Sequence, residues 1–106
     1  MNTKTYNKLV RDRIPYIIES KGGSCEVESL DMKNFMDALD DKMIEEFNEY
    51  RESRDLEELV DMLEVLFAMA KTQGYSWGEV CSAYREKREK RGGFDRGLFL
   101  KTVRED

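Results

Sequence analysis

The central part of the chain alternates apolar and polar positions with a helical period. In segment 33–53 the apolar residues lie three or four positions apart, namely Met36, Leu39, Met43, Phe47 and Tyr50. This spacing predicts a long amphipathic helix with one apolar stripe. Asp31, just before the segment, is the predicted N-cap. Three glutamates, at 45, 46 and 49, are expected beside or opposite the stripe.

A second central helix is predicted from about Leu56 to Gln73, where Gly74 stops it. From Leu59 to Ala70 the polar residues are two acids, at positions 61 and 64. A helix that is apolar on nearly every side is a buried helix. One small chain offers too little cover for it, so we expect a homo-oligomer, by default a dimer, with this helix near the interface.

Two further helices are predicted on either side of this pair. Ile14-Pro15 opens a short one, because proline is tolerated in a first helical turn, and Gly22-Gly23 ends it. Ser76, followed three residues later by Glu79, has the spacing of a capping box and starts a helix that continues to about residue 90.

Two short segments have the character of strands. Ser24–Leu30 alternates apolar and acidic residues, and Leu98–Val103 is the second candidate. Paired, they would form a small sheet that needs the helices for support. The predicted fold class is therefore all-α: one domain over residues 1–106, a bundle of about four helices with a minor two-stranded β element, assembled as an oligomer.

The amino-acid composition limits the possible partners, catalytic groups and metal ligands. With 18 Lys+Arg against 23 Asp+Glu, the net charge of −5 argues against nucleic acid as a partner. The chain has no histidine, which excludes catalysis by a histidine base, and any metal must take oxygen ligands. Its two cysteines form no motif, and the sequence predicts neither a signal peptide nor a membrane-spanning run. We therefore expect a cytoplasmic protein without membrane contact.

Five acids in the two central helices carry the candidate site. Because the helices are joined by a short turn, Glu46 and Glu49 should face Glu58 and Asp61, with Glu45 beside them. Carboxylates that converge in an apolar setting repel one another, and a bound Mg²⁺ resolves the repulsion. Two simpler explanations compete: a solvated charged face, and a capping box of Asp55 with Glu58. The box does not account for Asp61.

The acidic pattern resembles a known family. Glu45-Glu46-x-x-Glu49 followed by Glu58-x-x-Asp61 is similar to the signature of the MazG-like, all-α nucleoside triphosphate pyrophosphohydrolases. The start YNKLVRDRIP and the end KREKRGGFDRGLFLK resemble a small branch close to phosphoribosyl-ATP pyrophosphohydrolase-like proteins, so the likeness spans nearly the whole chain. The connection between Glu49 and Glu58 is shorter than in better-known members.

The resemblance implies a reaction and a set of ligands. Glu46, Glu49, Glu58 and Asp61 would bind Mg²⁺, with Mn²⁺ possible, and Glu45 would be a further ligand or would position water. Catalysis would rest on Glu45 and Glu46. The substrate would be a non-standard nucleoside triphosphate, cleaved to monophosphate and pyrophosphate in a house-cleaning role.

The triphosphate would also need cations from the protein. Lys8 and Arg11 belong to the family-like start, and Lys87 and Arg91 share one face at the end of the fourth helix. These four are the predicted phosphate-binding residues. Cations at a helix C-terminus are also ordinary complements of the helix dipole.

Two alternatives stay open. The chain is either this enzyme or a non-catalytic acidic helical module that binds a partner. If it is an enzyme, the substrate is also open, with phosphoribosyl-ATP and a deoxyuridine nucleotide as further candidates. Glu64 has no assigned role.

Overall fold

Helices account for all the regular structure in residues 2–105, the part of the chain that the computed structural model describes. There are four of them in this range: α1 (Ile14–Ser20), α2 (Met32–Ser53), α3 (Leu56–Thr72) and α4 (Trp77–Arg91). The all-α class and the four predicted helices are confirmed, with bounds within a residue or two of those expected.

The predicted two-stranded β element is wrong for the described residues. Both Ser24–Leu30 and Leu98–Val103 are irregular and share no ladder. Leu98 and Leu100 keep 75% and 77% of their surface exposed, so no helix lies over the second segment. A two-stranded sheet is marginal without such support, which explains why alternation alone did not produce one.

A very short connection fixes the central helical hairpin. The predicted N-cap is confirmed, because the Asp31 carboxylate accepts a hydrogen bond of 2.9 Å from the backbone N–H of Asn34. At the other end of α2, Arg54 adopts a left-handed conformation, with φ of 58°, and its N–H donates to the Tyr50 carbonyl at 2.7 Å. Asp55 then leads directly into α3. Helices α2 and α3 consequently pack along each other as an antiparallel pair.

The two predicted capping boxes have different outcomes. In α4 the Ser76 hydroxyl and the Glu79 carboxylate exchange both hydrogen bonds with the backbone, as expected. At the start of α3, the Asp55 side chain makes no capping hydrogen bond. The simple explanation of Glu58 as a capping residue is therefore wrong.

The core is small for a chain of this size. Leu39 and Val65 are the apolar side chains that the described structure buries, and α4 packs on α3 through stacked rings of Phe67 and Trp77, with centroids 3.4 Å apart. The accessible surface is 10311 Å², against about 6,200 Å² for a compact monomer of 12.5 kDa. Its radius of gyration is 18.8 Å, against about 13 Å for a compact domain. The single chain thus leaves much apolar surface exposed.

Helix α3 divides its residues between two faces. Val65 lies on the α2 side, where Glu58 and Asp61 also lie by helical spacing. The opposite face is apolar and 42–73% exposed: Leu56, Leu59, Val60, Leu63 and Leu66. The acids therefore face the other helix, and the leucines face outward. None of the described helices combines the length and the apolar character needed to span a membrane.

Candidate metal centre

Glu46 is the buried charged residue of the helical hairpin. It keeps 5% of its surface exposed, between the buried residues of α2 and α3. It lies seven positions after Leu39, so it shares the buried face of α2 instead of lying beside or opposite it, as the sequence had suggested. Its Oε1 lies 3.5 Å from Lys42 Nζ, while its buried Oε2 has no hydrogen-bond partner among residues 2–105.

Three glutamates of α2 form one group of oxygen donors. Glu45, Glu46 and Glu49 each offer a carboxylate oxygen, and these oxygens lie within 4.8 Å of one another. Glu49 is exposed, Glu45 is half-buried and Glu46 is buried, so the group extends from solvent into the hairpin. Such a trio can hold a metal ion.

The two acids predicted on α3 lie outside this trio. Glu58 carries a second buried oxygen, Oε2, with no hydrogen-bond partner in the described part of the chain. Asp61 accepts a hydrogen bond of 2.8 Å from the Arg11 guanidinium. Its negative charge also contributes to raising the pKa of Glu46. The structure therefore brings Glu46 and Glu49 together and sets Glu58 and Asp61 on the facing helix.

The pKa of Glu46 is raised above its ordinary value of 4.5. Burial is the largest cause, since it disfavours the charged carboxylate, and the negative charges of Glu49 and Asp61 act in the same direction. Lys42 opposes the shift but does not cancel it. A divalent cation bound to Glu46 would offset both the cost of burying its charge and the repulsion from the neighbouring acids.

Two basic residues of the segment before α1 form ion pairs with acids of the candidate site. Lys8 Nζ donates to Glu45 Oε1 at 2.8 Å, and this hydrogen bond holds the pKa of Glu45 below its usual value and raises the pKa of Lys8. The hydrogen bond from Arg11 to Asp61 likewise raises the pKa of the guanidinium. Both residues were predicted to bind phosphate. In the structure they neutralise carboxylates at the edge of the candidate site.

The other two predicted phosphate-binding residues are not brought to the acids. Lys87 and Arg91 are exposed and form no ion pair within residues 2–105. Helix α4 packs against α3 and, in the same range, makes no helix contact with α2. In a single chain these two cations therefore do not reach the acidic trio.

Lys42 is the site residue that the sequence interpretation missed. Its Nζ lies 3.4 Å from Glu45 Oε2 and 3.5 Å from Glu46 Oε1. The signal was present, because the lysine precedes these glutamates by three and four positions, which is the spacing of ion pairs on a helix.

Beside the site, a surface groove of about 470 Å³ is lined by Arg11, Leu56, Glu57, Val60 and Asp61.

The donor set fits a hard divalent cation. All the candidate ligands are carboxylate oxygens, the type that Mg²⁺ and Mn²⁺ prefer. The unpartnered Oε2 atoms of Glu46 and Glu58 are buried acceptors, and native structures rarely leave such atoms unsatisfied. A cation bound at either atom would give that atom a partner.

No family model, no curated protein and no solved structure matches this chain. The geometry of the acids and of the cations around them is thus the basis for the functional conclusion.

Proposed function

We propose that the chain is a divalent-metal-dependent nucleotide pyrophosphohydrolase. The observation that carries the proposal is Glu46, a carboxylate buried between two helices with one oxygen unpartnered and with its pKa raised by burial and by neighbouring acids. A carboxylate in that setting costs stability unless a cation joins it.

Glu46 and Glu49 from α2, with Glu58 and Asp61 from α3, would hold Mg²⁺ or Mn²⁺. The bound ion would polarise the phosphate and lower the pKa of a water. The two buried Oε2 atoms and the trio of α2 support this ligand set. The likeness of the two acidic motifs to the MazG-like signature supports the same four residues.

The reaction would be hydrolysis at the α-phosphorus. Water oxygen bonds to the α-phosphorus, the bond to the bridging oxygen of the β-phosphate breaks, and nucleoside monophosphate and pyrophosphate form. Glu45 positions the water and accepts its proton. While Lys8 is hydrogen-bonded to Glu45, its lowered pKa makes it a weak base. Transfer of Lys8 and Arg11 from carboxylates to the phosphates would free Glu45 and Asp61 together.

The substrate class that we propose is a non-standard nucleoside triphosphate, removed in a house-cleaning role. The working form would be a homo-oligomer with α3 at the interface. The exposed leucines on the outer face of α3 and the large accessible surface support the oligomer. In it, Lys87 and Arg91 would reach phosphate from another subunit.

Product analysis tests the activity. We would incubate the protein with a panel of ribo- and deoxyribonucleoside triphosphates, including dUTP and ITP, with Mg²⁺, with Mn²⁺ or with EDTA, and measure monophosphate and pyrophosphate. We expect metal-dependent release of both products from at least one substrate. Asp61→Asn should lower that rate at least a hundredfold, since it removes a ligand. Glu86→Gln, a change in an exposed acid paired with Lys90, is the matched control and should keep the rate.

A non-catalytic acidic module is the second candidate function. It is favoured by the ion pairs of Lys8 with Glu45 and of Arg11 with Asp61, which already neutralise part of the acidic surface. This candidate predicts no hydrolysis of any nucleotide in the panel. It also predicts that calorimetric titration gives the same Mg²⁺ affinity for wild type, Glu46→Gln and Asp61→Asn.

A further inference from the structure

The last segment of the chain is apolar and lies in solvent. After the turn closed by the Gly97 N–H on the Phe94 carbonyl, four large apolar residues follow at 65–86% exposure: Leu98, Phe99, Leu100 and Val103. We name residues 98–103 the tail. No helix of the described structure covers it, although its composition is that of a core segment.

The outer face of α3 is likewise apolar and exposed to solvent. Its apolar residues from Leu56 to Leu66 form one continuous stripe that keeps 42–73% of its surface exposed within residues 2–105. The stripe is about 15 Å long at the rise of a helix. The extended tail spans about 20 Å, enough to run along it. We infer that the tail of one copy docks on the outer face of α3 of a second copy, and that the exchange is reciprocal.

Area and charge favour a second copy as the occupant. The surface in excess of a compact monomer is about 4,000 Å², several times the roughly 800 Å² that a stable dimer buries on each partner. Two acids, Glu57 and Glu64, border one edge of the stripe, and two cations belong to the tail region: Arg96 just before the tail and Lys101 within it. A reciprocal exchange of one tail and one stripe is also what two-fold symmetry requires.

The exchange would place the partner's tail beside the candidate metal centre. Leu56 and Val60 belong both to the stripe and to the groove that Arg11 and Asp61 line. A docked tail therefore forms one wall of that groove. This inference rests on the homo-oligomer of the proposed function and does not depend on its catalytic assignment.

Mass in solution gives the first test. Light scattering or sedimentation at tens of micromolar protein should show a dimer for the wild type and for Asp61→Asn. The double variant Leu98→Asp, Leu100→Asp and the variant Leu63→Asp should each raise the dimer dissociation constant at least about a hundredfold, because each places charge on a buried apolar contact. Tyr16→Asp, a change at a 73% exposed position on α1, is the control and should stay dimeric. Circular dichroism should show unchanged helix content in all of them.

Cross-linking gives a second test that does not require a destabilised variant. In a background with Cys25→Ser and Cys81→Ser, chains with Leu100→Cys are mixed with differently tagged chains with Leu63→Cys under mild oxidation. We expect a disulfide-linked species that carries both tags and far less cross-linked product from either chain alone. A monomeric wild type, a dimer unaffected by the tail substitutions, or the absence of the two-tag species would each overturn the tail exchange. The nucleotide hydrolysis assay and the metal titration have separate readouts, so failure of the tail exchange can be distinguished from failure of the catalytic assignment.

Discussion

The two ends of the chain are both irregular, yet they differ in what holds them. The segment before α1 is tied to the hairpin by Lys8 on Glu45 and by Arg11 on Asp61, in two ion pairs with the same 2.8 Å separation. The tail after α4 is apolar, and its large side chains keep 65–86% of their surface exposed in the described structure. The first end has its partner within the same chain. The second has the apolar composition of a core segment but is exposed to solvent.

This difference assigns separate roles to the two ends. A polar segment that rests on exposed ion pairs gains little from each pair and can leave when a better anion or cation arrives. Exposure of an apolar segment to water is unfavourable, so such a segment is stabilised when another surface covers it. The N-terminal segment therefore suits exchange at the site, and the tail suits assembly. The following predictions test this division, starting with the largest effect.

Arg11→Ala separates phosphate binding from metal binding. We expect kcat/KM for the nucleotide to fall about tenfold to a hundredfold, because a charge-assisted contact to phosphate is lost. Metal affinity should not fall, because the substitution frees Asp61. Arg104→Ala at the other end is the matched control and should leave kcat/KM unchanged. Steady-state kinetics with a parallel Mg²⁺ titration give both readouts. An equal effect of the two substitutions would contradict the division between the ends.

Glu46→Gln should stabilise the metal-free protein at neutral pH. In EDTA at pH 7 we expect the free energy of unfolding to rise by about 1 kcal/mol, because a buried charge and its repulsion are removed. The folded-state pKa of Glu46 is raised, so the cost of its charge is present above that pKa. The cost disappears as the pH falls through it towards 4.5. Urea unfolding of wild type and variant should therefore converge under acidic conditions.

The matched control for this substitution is Glu52→Gln, which changes an exposed acid on the same helix. It should leave the unfolding free energy almost unchanged at both pH values. If Glu46→Gln were less stable than the wild type at pH 7 in EDTA, the electrostatic account of this residue would be wrong.

Lys8→Ala should have the smallest effect. Its exposed side chain competes with a metal for Glu45, so removing it should tighten Mg²⁺ or Mn²⁺ binding roughly two- to fivefold at low salt. Salt screens an exposed pair, and the difference should shrink in 1 M NaCl. Calorimetric titration measures both affinities, with Lys4→Ala as a control on the same segment. A weaker metal affinity in Lys8→Ala would mean that the lysine supports the site instead of competing with it.

Helical spacing was sufficient for most of the fold. The periodic apolar residues, the Asp31 cap and the Ser76–Glu79 box locate the helices because the signals are local and add along a segment. The β element failed because pairing depends on distant segments, and alternation in Ser24–Leu30 does not specify a neighbour. Strand propensity is therefore the weaker guide in this chain.

The candidate site was predictable in composition more than in arrangement. The acidic clusters are read directly from the sequence, and the structure joins three of the five acids in one group. The burial of Glu46 follows from its position seven residues after the buried Leu39. This spacing can be read from the sequence, but the charge of Glu46 argued for an exposed position. The positions of Lys8 and Arg11 on carboxylates depend on the path of an irregular segment, which periodicity does not describe.

The two-residue connection between α2 and α3, with Arg54 in its left-handed conformation, also has a consequence for folding. Closing so short a loop costs little chain entropy, and the contacts that form between the two helices are close in sequence. The hairpin with its acids can therefore form within microseconds to milliseconds in one nascent chain, before a second chain has been encountered. The assembly that we propose through the tail is bimolecular and would be slower at cellular concentrations. The candidate metal centre would then form first, and the proposed dimer would form around it.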